Sequence, residues 1–190
     1  SGVETAYRAL KKKGEINKEI NFIAFGGDGG TYDIGIQSLS GAMERGHRML
    51  YICYDNGAYM NTGIQRSSAT PFGANTTTSP AGKKIPGKTQ FKKDLTKIMA
   101  AHNIPYMAQA SVGYWNDFIT KVQKALAADG PSFINVISPC RLGWGFPPEE
   151  TMEIARQAVS CRIWPLYEVA DGKWKITFQP KEVTSPIDWM

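Results

Sequence analysis

No apolar run in the sequence approaches the ~20 residues that a membrane-crossing helix needs, and its first residues lack the pattern of a secretory leader. Membrane partners are therefore not expected. Cysteine is scarce: three in 190 residues, at Cys53, Cys140 and Cys161, with no paired spacing. An odd, scattered set argues against a disulfide framework and for a reducing compartment, read here as the cytoplasm. Three thiols also fall short of the four that hold an iron–sulfur cubane, so the chain does not carry such a cluster alone. Histidine is scarcer still. His47 and His102 each sit near a predicted helix end, where a cap is the expected role. No Ser/His/Asp set has a spacing that suggests nucleophilic catalysis. No aromatic stripe interleaves with basic residues, which argues against nucleic acid as a partner. Internal repeats and low-complexity tracts are missing too.

What is present is ordinary for one soluble globular domain: 42% hydrophobic and 21% charged residues, with a formal net charge of +5. Lys83, Lys84, Lys88, Lys92, Lys93 and Lys97 supply much of the local excess. They read first as a solvated loop and helix face, and second as a docking patch for an acidic electron carrier. The opening residues Ser1-Gly2-Val3-Glu4-Thr5-Ala6 enter helical pattern at once, which suggests a chain whose true beginning lies upstream.

Apolar runs of strand length alternate with amphipathic stretches, the pattern of an α/β fold. Strands are predicted at 20–25, 49–54, 106–110 and 133–138, the first, second and fourth apolar enough for burial on both faces of a parallel sheet. Helices are predicted at 3–12, 34–45, 91–101, 115–128 and 149–160. Residues 62–90 form a long Gly-, Pro-, Ser- and Thr-rich segment without periodicity, a length usually functional or disordered. After Trp164, two short runs around Asp171-Gly172 predict a β-hairpin appended to the sheet, read as an arm reaching a neighbour. The expected division is a main domain at 1–162 and this hairpin arm at 163–190.

The strongest local signal follows the first strand: Gly26-Gly27-Asp28-Gly29-Gly30-Thr31. Glycines at a strand's carboxyl end let backbone approach a ligand, and the next helix offers free N–H groups and a positive dipole end, which suits a phosphate. Asp28 is a poor phosphate neighbour unless a divalent cation sits between them. A plain turn with an Asp cap accounts equally well for this stretch alone. The dinucleotide-binding fingerprint fits worse, because the third spaced glycine is missing and no acidic residue ends the second strand at its usual place.

The second strand runs into Tyr54-Asp55-Asn56-Gly57-Ala58-Tyr59-Met60-Asn61-Thr62-Gly63. Asp28 and Asn56 are 28 positions apart, room for one helix and a return strand. A right-handed crossover then sets the two strand ends side by side. The Asp28 carboxylate, the Asn56 amide oxygen and a backbone carbonyl near Ala58 would offer hard oxygens to an octahedral Mg²⁺. Asn56 and Asn61 could instead be left-handed turn residues.

Together these two motifs resemble the thiamine diphosphate signature. The second one, with Gly41-Ala42-Met43-Glu44-Arg45-Gly46-His47 and residues 79–87, is similar to the β subunit of the pyruvate (2-oxoacid):ferredoxin oxidoreductase family. The likeness covers most of the chain and implies a thiamine diphosphate-binding fold: a doubly wound, mostly parallel sheet with helices on both faces and a C-terminal hairpin. It implies Asp28, Asn56 and the Ala58 carbonyl as Mg²⁺ ligands, and Gly27, Gly29 and Gly30 along the diphosphate. Asn61, beside Thr62, would face the thiazolium and the substrate. Where the family commonly has Glu after the metal-binding residue, this chain has Gly57, which leaves any side-chain role there in doubt.

The resemblance also picks out Ser138-Pro139-Cys140-Arg141-Leu142-Gly143-Trp144, with Cys140 as the distant fourth ligand of a 4Fe–4S cluster whose other ligands lie outside this chain. Without it, Cys140 reads as a small buried hydrophobe; Cys53 and Cys161 are assigned to packing. The implied activity is oxidative decarboxylation of a 2-oxo acid, with electrons passed to 4Fe–4S clusters and ferredoxin. The implied partners are a pyrimidine-binding α subunit, a ferredoxin-like cluster subunit, ferredoxin, the 2-oxo acid and coenzyme A. Two other readings stay open: a non-redox thiamine decarboxylase or carboligase, and a regulatory or assembly domain of the same fold that binds no cofactor.

Overall fold

A computed structural model describes residues 1–186; residues 187–190, the end of the predicted arm, lie outside the described residues. The chain opens with helix α1 (Gly2–Lys12), strand β1 (Ile23–Gly27) and a π-helical turn (Gly29–Ile34) that runs into α2 (Ile36–Glu44). Strand β2 (Leu50–Asp55) follows, then a two-residue pair, β3 (Ala58–Tyr59) and β4 (Gln65–Arg66), and helix α3 (Leu95–Ala100). Next come β5 (Tyr106–Ser111), α4 (Trp115–Ala127), β6 (Ser132–Ile137), the single turn α5 (Arg141–Trp144) and α6 (Thr151–Ser160). The hairpin of β7 (Leu166–Ala170) and β8 (Lys173–Phe178) completes it.

Six strands form one sheet in the order β1-β2-β6-β5-β7-β8. The first four are parallel, and β7 joins β5 antiparallel. Both faces are covered because α2 and α3 turn Leu39, Met43, Leu95 and Met99 onto Cys53, Met107 and Phe133, while α4 sets Phe118, Val122, Ala125 and Leu126 against Ile52, Ala108, Ile134 and Val136. Those positions recur at helical spacing on α4 and alternate on the strands, as two-sided burial of a parallel sheet requires. This is the doubly wound arrangement expected from the sequence. No helix among the described residues is long and apolar enough to cross a membrane.

Several boundaries differ from expectation. The first strand starts at Ile23, and it is not buried on both faces: as the sheet's edge it leaves Ile23 44% and Phe25 67% exposed. The strand buried at every position besides β6 is β5, whose alanines let helices approach from either side. Helix α3 starts at Leu95, four residues later than predicted, because the Asp94 side chain accepts the Lys97 N–H and caps it there. The hairpin is an integral edge of the sheet, with Leu166 and Val169 in the core. Its turn places Asp171 (φ 48°) and Gly172 (φ 75°) both in the left-handed region, the geometry a two-residue hairpin demands.

Two buried side chains tie the layers together. Lys121 on α4, 1% exposed, donates to the Gln109 carbonyl at 2.9 Å and the Thr177 hydroxyl at 2.8 Å, and pairs with Asp117 at 2.5 Å. His47 is not a helix cap: its Nδ1 meets the buried Glu4 carboxylate at 2.6 Å and ties α1 to the turn after α2. His102 does bond the Ile98 carbonyl at the end of α3, at 2.9 Å.

Candidate cofactor-binding site

Parallel pairing of β1 with β2 puts Gly27 beside Tyr54. The residues leaving the two strands, Asp28 and Asp55-Asn56, therefore emerge together at the carboxyl edge, where open α/β sheets bind ligands. Asp28 is 1% exposed. It precedes the π-helical turn but makes no capping bond with its side chain, so the plain Asp-cap reading fails. Its Oδ2 accepts the Ser67 hydroxyl at 2.5 Å, and its Oδ1 faces the Asn56 backbone N–H at 3.5 Å.

The Asn56 amide head lies 2.8 Å from both Asp28 Oδ1 and the Ala58 carbonyl oxygen. Turned one way, it donates two hydrogen bonds. Turned the other way, it makes three oxygens converge, an arrangement that a cation relieves. Neighbouring oxygens around an octahedral ion with bonds of about 2.0–2.1 Å stand about 2.9 Å apart, so this spacing suits a small, hard cation. Among the described residues no group of three or more His, Cys, Asp and Glu could hold a metal; a cation here depends on amide and backbone oxygens. Burial, and then the neighbouring charge of Asp55, push the Asp28 carboxyl up to about 6. A cation at Oδ1 would offset both.

Asp55 braces the loop that carries Asn56. Its Oδ2 accepts the Tyr32 hydroxyl and the Lys92 ammonium, both at 2.6 Å, and its Oδ1 faces the Gly57 N–H at 3.1 Å. Asn135 donates in turn to the Tyr32 oxygen at 2.7 Å. Asp55 is the last residue of β2, and these bonds occupy it within the fold. The positive-φ residues of the loop are Gly57 (80°), Gly63 (122°) and Ile64 (60°), not Asn56 or Asn61.

The remaining predicted residues scatter around this centre. Gly29 is needed for packing, since a Cβ there would stand 2.3 Å from the Tyr59 ring, and at Gly27 it would meet Tyr54 at 3.2 Å. At Gly30 it would meet nothing within 4 Å, which leaves open space against the turn. Asn61 and Thr62 are exposed on the turn after β3, and the Thr62 hydroxyl donates to Gln65 at 2.6 Å; neither is gathered with Asp28. Cys140 is half-buried just before α5 at the carboxyl end of β6, while Cys53 and Cys161 are buried. Burial raises the Cys53 thiol far above its usual range.

Sequence reasoning missed Ser67, Tyr32, Lys92 and Trp144, whose indole N–H donates to the Asn56 carbonyl at 2.8 Å. The segment 62–90 supplies the buried Ser67 and Thr70, so it is built into the site's wall. The solvated-lysine reading fails for three of the six lysines. Lys88 is 1% exposed and donates to the Thr70 carbonyl at 2.6 Å, with burial lowering its pKa. Lys92 grips Asp55, and Lys93 the Tyr32 carbonyl.

The family model described as thiamine pyrophosphate enzyme, C-terminal TPP binding domain, matches residues 2–136. The chain is 63% identical over 182 residues to pyruvate synthase subunit PorB of Methanocaldococcus jannaschii, covering 95% of this chain and 61% of that protein. It is 57% identical to the Thermotoga maritima PorB, over 96% of this chain and 57% of that one. It is 51% identical to ketoisovalerate oxidoreductase subunit VorB of Pyrococcus abyssi, over 99% of this chain and 61% of that one. The chain thus spans roughly three fifths of the length of these curated relatives. A solved 2-oxoglutarate:ferredoxin oxidoreductase from Magnetococcus marinus shares the fold, with a TM-score of 0.60 at 20% identity over 82% of this chain and 56% of that one. With more than half its length matched by that family model, the chain belongs to the thiamine pyrophosphate enzymes, as a C-terminal TPP-binding domain.

Proposed function

We propose that this chain is the thiamine diphosphate- and Mg²⁺-binding part of the β subunit of a 2-oxoacid:ferredoxin oxidoreductase, of the pyruvate type. One observation carries the cofactor reading: the Asp28 carboxylate, the Asn56 amide and the Ala58 carbonyl meet within 2.8 Å contacts at two adjacent strand ends. Identity of 63% and 57% to two PorB subunits supports the pyruvate type, and the VorB match points to branched 2-oxo acids as the variation within the same frame.

Asp28, Asn56 and Ala58 would hold the ion, and the ion would tether the diphosphate. Ser67 keeps one Asp28 oxygen occupied so that the other faces Asn56. The turn at Gly29-Gly30, with open space at Gly30, receives the phosphate oxygens. Asn61 and Thr62, on the exposed turn beyond β3, are proposed to meet the thiazolium and substrate once partner subunits close over them. When bound, thiamine diphosphate supplies the electron sink that lets a 2-oxo acid lose CO₂. Cys140 is proposed as one ligand of a 4Fe–4S cluster completed by residues outside this chain; that cluster would pass the two electrons on to ferredoxin, with coenzyme A taking the acyl group. The pyrimidine-binding subunit and the cluster subunit complete the assembly, which acts in the cytoplasm.

Calorimetric titration of the assembled protein with thiamine diphosphate and Mg²⁺ tests the cofactor reading. Asp28→Ala should abolish Mg²⁺-dependent binding. Unchanged affinity in that variant would refute the metal role.

A further inference from the structure

The peptide group between Asn56 and Gly57 is held from both sides. Its carbonyl oxygen accepts the Trp144 indole N–H at 2.8 Å, and its N–H faces Asp55 Oδ1 at 3.1 Å. Gly57 sits at φ 80°, and a glycine there leaves this peptide free to rotate unless its neighbours fix it. Rotation would break both bonds and release the loop that carries the Asn56 side chain and the Ala58 carbonyl. Asp55 is itself fixed by Tyr32 and Lys92. Trp144 is fixed differently: its ring packs on the cluster of Ile137, Ala158, Val159, Trp164 and Leu166.

A half-buried indole N–H needs an acceptor, and here the acceptor is a carbonyl of the loop that carries Asn56 and Ala58. One turn of helix, α5, carries it there, ended by Gly145 at φ 75°. The same turn touches the loop again at Gly143, where a Cβ would stand 2.2 Å from the Met60 sulfur, so glycine lets Met60 seat against α5.

We infer that Trp144 is a positioning residue for the cofactor loop: its indole N–H holds the Asn56–Gly57 peptide, and thereby sets the Asn56 amide and the Ala58 carbonyl beside Asp28. The inference rests on the cofactor reading above and adds to it a residue that lies after β6, more than 80 positions along the chain from the loop it holds. Because α5 begins directly after Cys140, that half-buried thiol and the loop are joined through one rigid turn.

The test uses the full-length subunit in its complex. Trp144→Phe keeps an aromatic ring and deletes the donor. A second form places 3-benzothienylalanine at 144, which keeps the bicyclic shape with sulfur where the N–H stood. Both should bind Mg²⁺ about tenfold more weakly at saturating thiamine diphosphate, the effect of one lost hydrogen bond. In the metal-free protein, hydrogen exchange at the Gly57 amide should speed up in both. Unchanged Mg²⁺ affinity and unchanged Gly57 exchange in the benzothienyl form would overturn the inference. Should Asp28→Ala retain Mg²⁺ binding, the cofactor reading fails, and Gly57 exchange alone then decides whether Trp144 holds the loop.

Discussion

The Asp28 carboxylate and the Asn56 amide, 28 positions apart in the chain, meet at 2.8 Å because they leave two neighbouring parallel strands at the same edge. In the metal-free protein the Asp28 carboxylate carries an energetic cost, because it is buried and lies near a second carboxylate, Asp55.

Asp28→Asn should therefore stabilise the metal-free protein while removing metal binding. The Asp28 carboxyl stands at about 6 in the fold against an ordinary 3.8, so the native state holds this proton more tightly than the unfolded chain does. The stability it confers is present below the unfolded value and is lost as pH rises through about 6. By pH 7 the wild-type protein should have lost up to about 3 kcal/mol that the Asn variant keeps. Urea unfolding of both proteins at pH 5 and pH 7.5 checks this, and an equal difference at the two pH values would refute it.

Ser67→Ala deletes the hydroxyl that donates to Asp28 Oδ2. A hydrogen bond to a charged group is worth about 1.5–3 kcal/mol, so Mg²⁺ affinity should fall by ten-fold or more. The loss should be greater at pH 6 than at pH 8, because the unsupported carboxylate protonates more readily. Titrations at both pH values measure it.

At Gly57 the constraint is backbone conformation, not space: a Cβ would meet only Pro71, at an ordinary 3.7 Å, but φ is 80°. Gly57→Ala and Gly57→Glu should each cost about 1–2 kcal/mol, and Gly57→Asn less, since Asn tolerates this region. Thermal unfolding ranks the three.

Glu168 gives a signal of the opposite sign in acid. Burial raises its pKa, but the Lys124 and Tyr106 bonds, at 2.8 and 2.9 Å, outweigh that and hold it below its usual value. The stability it contributes is present above the unfolded value near 4.5 and lost as pH falls through the folded one. Glu168→Gln should cost about 1–2 kcal/mol at pH 7, discounted from a buried pair because Lys124 is half in solvent, and almost nothing near pH 3. A gap that stays constant with pH would show another cause.

Much of this was legible in the sequence. Spacing alone placed Asp28 and Asn56 at one edge, because a right-handed crossover between parallel strands leaves little choice of geometry. The hairpin was legible through Asp171-Gly172, whose chemistry fits only a few turns. Ser67 and Lys92 were not, because their roles come from where an irregular segment settles against Asp28 and Asp55, and no periodicity encodes that. The exposed Phe25 was misread because an apolar strand looks the same in sequence at a sheet's edge as at its centre. Lys88 was misread because a lysine's partners, here the Thr70 carbonyl, decide whether it can be buried.

The bond from Lys121 to Thr177 bears on how this protein can be shortened. A version that stops before β8 removes the hydroxyl from an ammonium that is 1% exposed, and it strips the cover from β7. Trimming the C-terminal hairpin to obtain a tidier crystallisation target should therefore yield insoluble material, and a protease that nicks near Gly172 should leave both halves bound to each other.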